Sequence, residues 1–75
     1  MMYLYFQHSD GSLSLVAECE KDEAGKYMMD DLHARNPTFK VYYVRSWGDD
    51  EEGYTYDVSS HTEFYKLSRE RLTEG

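Results

Sequence analysis

Cysteine is nearly absent from this sequence. The single cysteine, Cys19, cannot form an internal disulfide, and it cannot supply the ligands of a four-ligand zinc site. An oxidised secreted scaffold is therefore excluded. We expect a protein of a reducing compartment, and the cytoplasm is the simplest one.

Long apolar runs are missing as well. The N-terminal stretch "MMYLYFQHSDGS" has no basic region, and its apolar run ends at Gln7, which is too short for a signal peptide or a membrane span. We also find no linker, low-complexity segment or repeat. The 75 residues are therefore expected to form one soluble domain, 1–75, with a thin core, since so short a chain buries only about 60% of its unfolded surface.

Positive charge is scarce. Eight Lys and Arg stand against fifteen Asp and Glu, so the net charge is −7 at pH 7. Such a chain repels phosphate groups, which argues against direct binding of nucleic acid or of an anionic membrane. The acids are spread along the sequence, so they belong to the folded surface and not to one tail.

Aromatic residues are abundant, with eight Tyr, three Phe and one Trp. Residues 2–7 alternate apolar and polar-tipped side chains, as does the run "SLSLVAE" over residues 12–18. Asp10-Gly11 between the two runs is a hairpin signal, because glycine accepts the positive φ that a tight turn needs. These segments predict an N-terminal β-hairpin.

The periodicity changes between residues 20 and 35. Ala24, Tyr27, Met28 and Leu32 recur at helical spacing, and Asn36-Pro37 ends the pattern. The sequence therefore predicts one helix.

Two further strands are predicted after the helix. The run "TFKVYYVRSW" (38–47) and the run "YTYDV" (54–58) alternate again and flank the acidic loop "GDDEEG". Residues 59–75 allow two interpretations. We favour a short edge strand at Phe64, Tyr65 and Leu67 followed by a frayed tail, over a terminal helix that runs through Leu72.

This order, β-β-α-β-β with a possible further short C-terminal strand, predicts an α+β domain with one helix on one face of an antiparallel sheet. The residues expected in the core are Leu4, Phe6, Leu13, Leu15, Tyr27, Met28, Leu32, Val41 and Tyr43. One helix covers only one face. Aromatics of the other face, with Tyr3, Tyr5 and Tyr42 as candidates, are expected to be exposed or covered by a partner.

Catalytic chemistry has little support in the sequence. Cys19 has no nearby positive charge that would activate its thiol, and "DVSSH" at 57–61 is more simply a strand end followed by a polar turn. The four consecutive acids at 49–52 lack the alternating ligands and the loop glycine of an EF-hand. The sequence therefore predicts no catalytic residue, no metal site and no cofactor.

A partner-binding surface is the better interpretation of the second hairpin. Aromatic sheets that stack RNA bases are rimmed with Lys and Arg, whereas these strands adjoin "DDEE". Tyr and Trp beside acids suit a protein interface. The predicted surface consists of Trp47, Asp49, Asp50, Glu51, Glu52 and Tyr54. The alternative is that these acids only keep the protein soluble.

The segment "VYYVRSWGDDEEGYTYDVSSHTEFYKL", through Trp47-Gly48, Tyr56-Asp57 and Ser60-His61, resembles small, mostly uncharacterised proteins of phages and prophages of Gram-positive bacteria. The resemblance implies an accessory protein, and such proteins include inhibitors of host defence such as anti-CRISPR proteins. The partner would then be a host protein whose basic groove normally holds DNA or RNA. Two alternatives remain: a structural or regulatory phage protein that forms a homodimer through its aromatic sheet face, and a minor enzyme that uses Asp57 and His61.

Overall fold

The chain forms a five-stranded sheet with one helix packed against it. The computed structural model describes residues 1–74. Its elements are strand β1 (Met2–Gln7), strand β2 (Leu13–Cys19), a 3₁₀ turn (Lys21–Glu23), helix α1 (Ala24–Arg35), and strands β3 (Arg45–Asp49), β4 (Gly53–Asp57) and β5 (Phe64–Ser68). The strands lie in the order β2-β1-β5-β4-β3, and every neighbouring pair is antiparallel. The predicted α+β class is confirmed.

The last strand lies at the centre of the sheet, where an edge position was expected. β5 pairs with β1 on one side and with β4 on the other. Tyr65 and Leu67 are fully buried beneath α1, so this strand joins the two hairpins through the core. The central position follows from these two large side chains, which bury more surface between the hairpins than at an edge.

Helix α1 packs its predicted face on the sheet. Ala24, Met28 and Leu32 are buried against a floor that includes Leu4 and Phe6, as expected. Glu20 and Glu23 form a capping box at the start of the helical segment, in which the backbone N–H of Glu20 donates to Glu23 Oε1 at 3.0 Å. Tyr27 and Val41 are half-buried at the margin of this core.

A β-bulge changes the composition of the two sheet faces. Leu4 lies opposite Ala17 and Tyr5 lies opposite Leu15, so β2 carries one extra residue, Val16, at this point. The bulge moves Leu13 and Leu15 to the face away from α1. Placing these two leucines in the core under the helix was wrong for this reason.

The segment before β3 is not a strand over its full predicted length. Only Arg45–Asp49 pairs with β4, and residues 38–44 follow the loop after β4 instead. Ser59 Oγ accepts the N–H groups of Tyr42 and Tyr43 at 2.8 Å each and donates to the carbonyl of Tyr43 at 2.8 Å. The Ser59 side chain thus takes the place of a strand partner for this segment. Tyr43, which was expected in the core, lies outside it.

The C-terminal tail covers part of the second face of the sheet, over β1 and β2. The N–H of Leu72 donates to Tyr5 Oη at 2.8 Å, and the N–H of Leu15 donates to Glu74 Oε1 at 2.9 Å. The Arg71 guanidinium lies 5.3 Å from the centre of the Tyr3 ring. Tyr5 is only 1% exposed. Residues 69–74 form neither helix nor strand, so the preference over a terminal helix is confirmed. The expectation of an uncovered Tyr5 is wrong. Tyr42 is exposed, but it lies in the segment before β3 and not on the sheet face.

α1 has 12 residues, and no helix within residues 1–74 is long and apolar enough to span a bilayer.

Candidate functional site

The turn between β3 and β4 carries the four consecutive acids, which we call the acidic turn (Asp49, Asp50, Glu51 and Glu52). Asp49 Oδ1 accepts the N–H of Glu51 at 3.0 Å and the N–H of Glu52 at 2.7 Å. These bonds hold the backbone of the turn, as in an Asx turn. The first acid of the group therefore shapes the turn, and its second carboxylate oxygen is left for other contacts.

Two glycines make this tight turn possible. Gly48 and Gly53 have φ values of 121° and 92°, a region that side chains disfavour. A Cβ on Gly48 would lie 2.1 Å from the carbonyl oxygen of Gly53. The glycines that bracket the acids are therefore required by the backbone geometry of the hairpin.

Asp50 is held by its neighbours on the helix side of the sheet. The Tyr54 hydroxyl donates to Asp50 Oδ1 and lowers the pKa of that carboxyl, an effect that Lys21 and Arg69 reinforce and burial opposes. The Lys21 ammonium also lies 4.2 Å from the centre of the Tyr54 ring. Part of the negative charge at Asp50 is thus compensated within the molecule.

Glu51 and Glu52 carry the least compensated charge of the acidic turn. Both residues are exposed, and among residues 1–74 no cation lies within ion-pairing distance of either carboxylate. A free carboxylate pair at a projecting turn attracts cations from solution with little cost of desolvation.

The two aromatic residues of the predicted surface lie on opposite faces of the hairpin. Trp47 is paired with Thr55, whereas Tyr54 is paired with Gly48, so their side chains alternate. Trp47 is 51% exposed on the face away from α1, where its ring lies edge-on to Phe64 at 6.1 Å. The structure therefore brings Trp47 and Asp49 to one face and places Asp50 with Tyr54 on the other.

A second cluster of polar groups surrounds Asp57 at the end of β4. The carboxylate is 1% exposed and accepts hydrogen bonds from Tyr43 Oη at 3.2 Å and from Arg45 Nη2 at 3.3 Å. It also accepts the N–H groups of Ser60 at 3.1 Å and His61 at 3.3 Å. His61 Nδ1 lies 3.8 Å from Asp57 Oδ2 and 2.9 Å from Tyr43 Oη. We call Tyr43, Arg45, Asp57 and His61 the Asp57 cluster.

Hydrogen bonds keep the buried Asp57 carboxylate ionised. Burial raises the pKa of Asp57, but the hydrogen bonds from His61, Arg45, Ser60 and Tyr43 outweigh it, so the pKa is lowered. Burial and the adjacent Asp57 raise the pKa of Tyr43. Near neutral pH the carboxylate therefore stays ionised and the phenol stays protonated.

Sequence reasoning noted Asp57 and His61 but missed their partners. Tyr43 and Arg45 reach Asp57 because the hairpin register places Arg45 directly opposite it. That register follows from the position of the turn between residues 49 and 53. The alternation of Tyr43 and Arg45 on one face and the position of the turn were visible in the sequence, so the pairing register across the hairpin was the missing step.

Cys19 is a buried side chain of the core. It is 2% exposed, and burial, together with Glu23 and Glu20, raises the pKa of its thiol. A protonated and inaccessible thiol is a poor nucleophile. Within residues 1–74, moreover, no three His, Cys, Asp or Glu side chains are arranged to hold a metal ion.

A cavity of about 480 Å³ lies between the end of α1 and the sheet, with Phe6, Leu32 and Phe39 among its lining residues. Its cationic group, Arg35, already pairs with Asp31 at 2.6 Å and stacks on the Phe6 ring at 3.9 Å. Tyr65 Oη donates to the same Asp31 carboxylate at 2.7 Å. The polar groups nearest the core are thus satisfied by one another.

No family model, curated protein or solved structure matches this chain.

Proposed function

We propose that this protein is a non-catalytic binding protein that docks on the basic groove of a host nucleic-acid-binding enzyme and blocks it. The observation that carries the proposal is the acidic turn. It projects from the outermost hairpin of a protein with a net charge of −7, next to a half-exposed tryptophan.

The shape of the turn is set before any partner binds. Asp49 caps the backbone and Tyr54 holds Asp50, so a partner meets an ordered loop. Preorganisation lowers the entropy lost on association. Glu51 and Glu52 then supply the free charge that steers the turn towards a cationic groove.

Trp47 supplies an apolar anchoring contact, which the charged residues do not provide. Its ring is exposed on the face away from α1, and tryptophan is a common anchor of protein interfaces. Tyr54 has a different role from the one that the sequence indicates. It orients Asp50 from the helix side, and the anchoring contact falls to Trp47.

The resemblance to small phage proteins supports an inhibitory role, of which an anti-CRISPR protein is one example. A row of carboxylates can take the place of nucleic-acid phosphates in a basic groove. The proposal places the protein in the cytoplasm of the infected cell, where such enzymes act.

The test compares two variants of equal charge. The partner is first captured from host lysate with the intact protein and identified. Association of that partner with Glu51→Gln/Glu52→Gln is then compared with that of Glu18→Gln/Glu70→Gln, which removes the same charge from exposed acids outside the turn.

We expect the turn variant to associate about tenfold more slowly at low salt and to lose most of its salt dependence. The control variant should change the association rate and its salt dependence much less, because the charges that it removes lie farther from the contact. Equal effects of the two variants would show that only total charge matters and would contradict a specific role of the acidic turn.

A further inference from the structure

The outer edge of β3 is an open strand edge. β3 is the last strand in the sheet order, all five of its residues are exposed, and no strand within residues 1–74 pairs with its outer side. An edge strand presents unpaired N–H and C=O groups, and natural proteins usually cover or interrupt such edges.

Exposed apolar side chains concentrate at the same edge. Four large hydrophobic residues are well exposed on the described surface, namely Met1, Tyr42, Val44 and Trp47. Three of them lie in β3 or in the segment that leads into it. The edge therefore offers both backbone hydrogen-bonding groups and apolar area to a neighbouring strand.

The sequence of β3 is its own antiparallel complement. Arg45 begins the strand, Asp49 ends it, and Trp47 is midway between them on the same face. When two such strands run antiparallel about a dyad at Trp47, each Arg45 lies opposite Asp49 of the second copy. The two tryptophans then form a cross-strand pair. Opposite charges and paired aromatics are the combinations that stabilise neighbouring strands.

We propose that two copies of this chain form a two-fold symmetric dimer through the edges of β3, with Trp47 opposite Trp47. The two sheets join into one ten-stranded sheet, and the same surface serves both copies. This inference does not rest on the proposed function, but both use Trp47, so a Trp47 that is paired in the dimer is not free to anchor a partner.

Arg45 and Asp49 both have hydrogen-bonding groups left for this contact. Arg45 donates to Asp57 through Nη2 alone, which leaves the other guanidinium N–H groups for a second carboxylate. Asp49 uses Oδ1 for the turn, and within residues 1–74 its Oδ2 accepts no hydrogen bond. The dimer therefore breaks neither the Asp57 cluster nor the acidic turn.

A second copy fits this edge better than a dimer through the sheet face. The C-terminal tail covers Tyr5 on that face, and the well-exposed aromatic side chain there, Trp47, lies on β3 itself. Within residues 1–74 no strand pairs with the outer edge of β3, and the charge pattern of this edge is complementary to itself.

Single cysteines test the register. In an antiparallel pair, directly opposite Cα atoms are about 4.5 to 5.5 Å apart, within the span of a disulfide. Trp47→Cys places the new thiol on the dyad and should form an intermolecular disulfide under mild oxidation. In Arg45→Cys the two thiols are offset by four positions along the strand, or about 13 Å, and should not react. The buried Cys19 is present in both variants and serves as an internal control.

The mass of the unmodified protein tests the dimer itself. We expect a dimer by native mass spectrometry and by light scattering, and we expect added salt to strengthen it, because two chains of charge −7 repel each other. Trp47→Lys places two ammonium groups opposite each other and should weaken the dimer about tenfold or more, whereas Trp47→Tyr should retain it.

Three outcomes would overturn the proposal. The first is an unmodified protein that stays monomeric up to the highest concentration at which it is soluble. The second is a disulfide that forms as readily in Arg45→Cys as in Trp47→Cys. The third is a dimer that persists undiminished in folded Trp47→Lys, which would place the contact on another surface.

Discussion

Asp57 is the residue whose surroundings depart most from those of an ordinary surface acid. Its carboxylate is almost fully buried, yet four hydrogen-bond donors keep it ionised. One of these donors comes from the segment that precedes β3, one from the first residue of β3, and two from the loop that follows β4. The carboxylate thus adds to the Ser59 hydrogen bonds and to the Arg45–Asp57 strand pairing, which join the same stretches of chain.

Replacing Asp57 by Asn should destabilise the protein, by roughly 1–3 kcal/mol at neutral pH, because buried donors lose a charged acceptor. The pKa of Asp57 is lowered in the folded state. Its contribution is therefore present above about pH 4 and is lost as the pH falls through the folded-state pKa. Urea unfolding at about pH 7 and about pH 3 should show the difference between wild type and Asp57→Asn shrinking at the lower pH.

His61→Asn is the matched control for this measurement. The His61 ring is mostly exposed, and the backbone N–H of residue 61 still reaches Asp57 after the change. The loss of unfolding free energy should be clearly smaller in His61→Asn than in Asp57→Asn. A difference between wild type and Asp57→Asn that does not vary with pH would show that the carboxylate charge is not what stabilises the cluster.

At the scale of the element, the C-terminal tail covers Tyr5 and its neighbours on β1 and β2, on the sheet face that the single helix leaves open. Removing residues 70–75 should expose Tyr5 and cost on the order of 1–3 kcal/mol, the value of one large buried side chain. The free energy of unfolding in urea measures this cost. Glu74→Gln keeps the tail and removes only one charge, so it should cost much less.

An unchanged free energy of unfolding in the truncated protein would contradict this role. Increased reactivity of Tyr5 towards a phenol-modifying reagent after truncation would support it. Both measurements use a chain that retains every strand and the helix.

The elements that the sequence predicted well are those with strong local signals. Ala24, Met28 and Leu32 lie at helical spacing, and Asp10-Gly11 and Gly53 fit only tight turns, so the helix, the first hairpin and the turn of the second hairpin are found where expected, whereas β3 begins at Arg45 and not at residue 38. The bulge at Val16 has no local signal, and it reverses the faces of Leu13 and Leu15. The tail is held by single long-range hydrogen bonds to Tyr5 and Leu15, which no periodic pattern indicates.

The candidate surface was predictable to a similar extent. The acidic turn lies where its glycines indicate. The opposite orientation of Trp47 and Tyr54 depends on the strand register, which fixes their partners as Thr55 and Gly48. Without that register, the sequence pattern places both aromatic residues with the acids, whereas in the folded hairpin they lie on opposite faces.

At the scale of the whole molecule, net charge opposes the compact state. The chain carries a charge of −7. Within residues 1–74, the pairs of Met1 with Glu20 and of Lys26 with Asp30 are exposed on both sides, and such pairs contribute little to stability. Repulsion among the acids should therefore outweigh the attraction within these pairs.

We accordingly expect the melting temperature to rise as salt increases from about 20 mM to about 500 mM, because screening weakens the repulsion more than it weakens the exposed pairs. Thermal unfolding followed by circular dichroism, at a fixed protein concentration, measures the slope. Glu51→Gln/Glu52→Gln changes the net charge from −7 to −5, as two negative charges are removed, and should give a shallower slope. A melting temperature that falls with salt would mean that the attraction within ion pairs such as Arg35 with Asp31 outweighs the repulsion among the acids. The acidic surface would then not destabilise the fold, and a cationic partner would relieve no repulsion by binding to it.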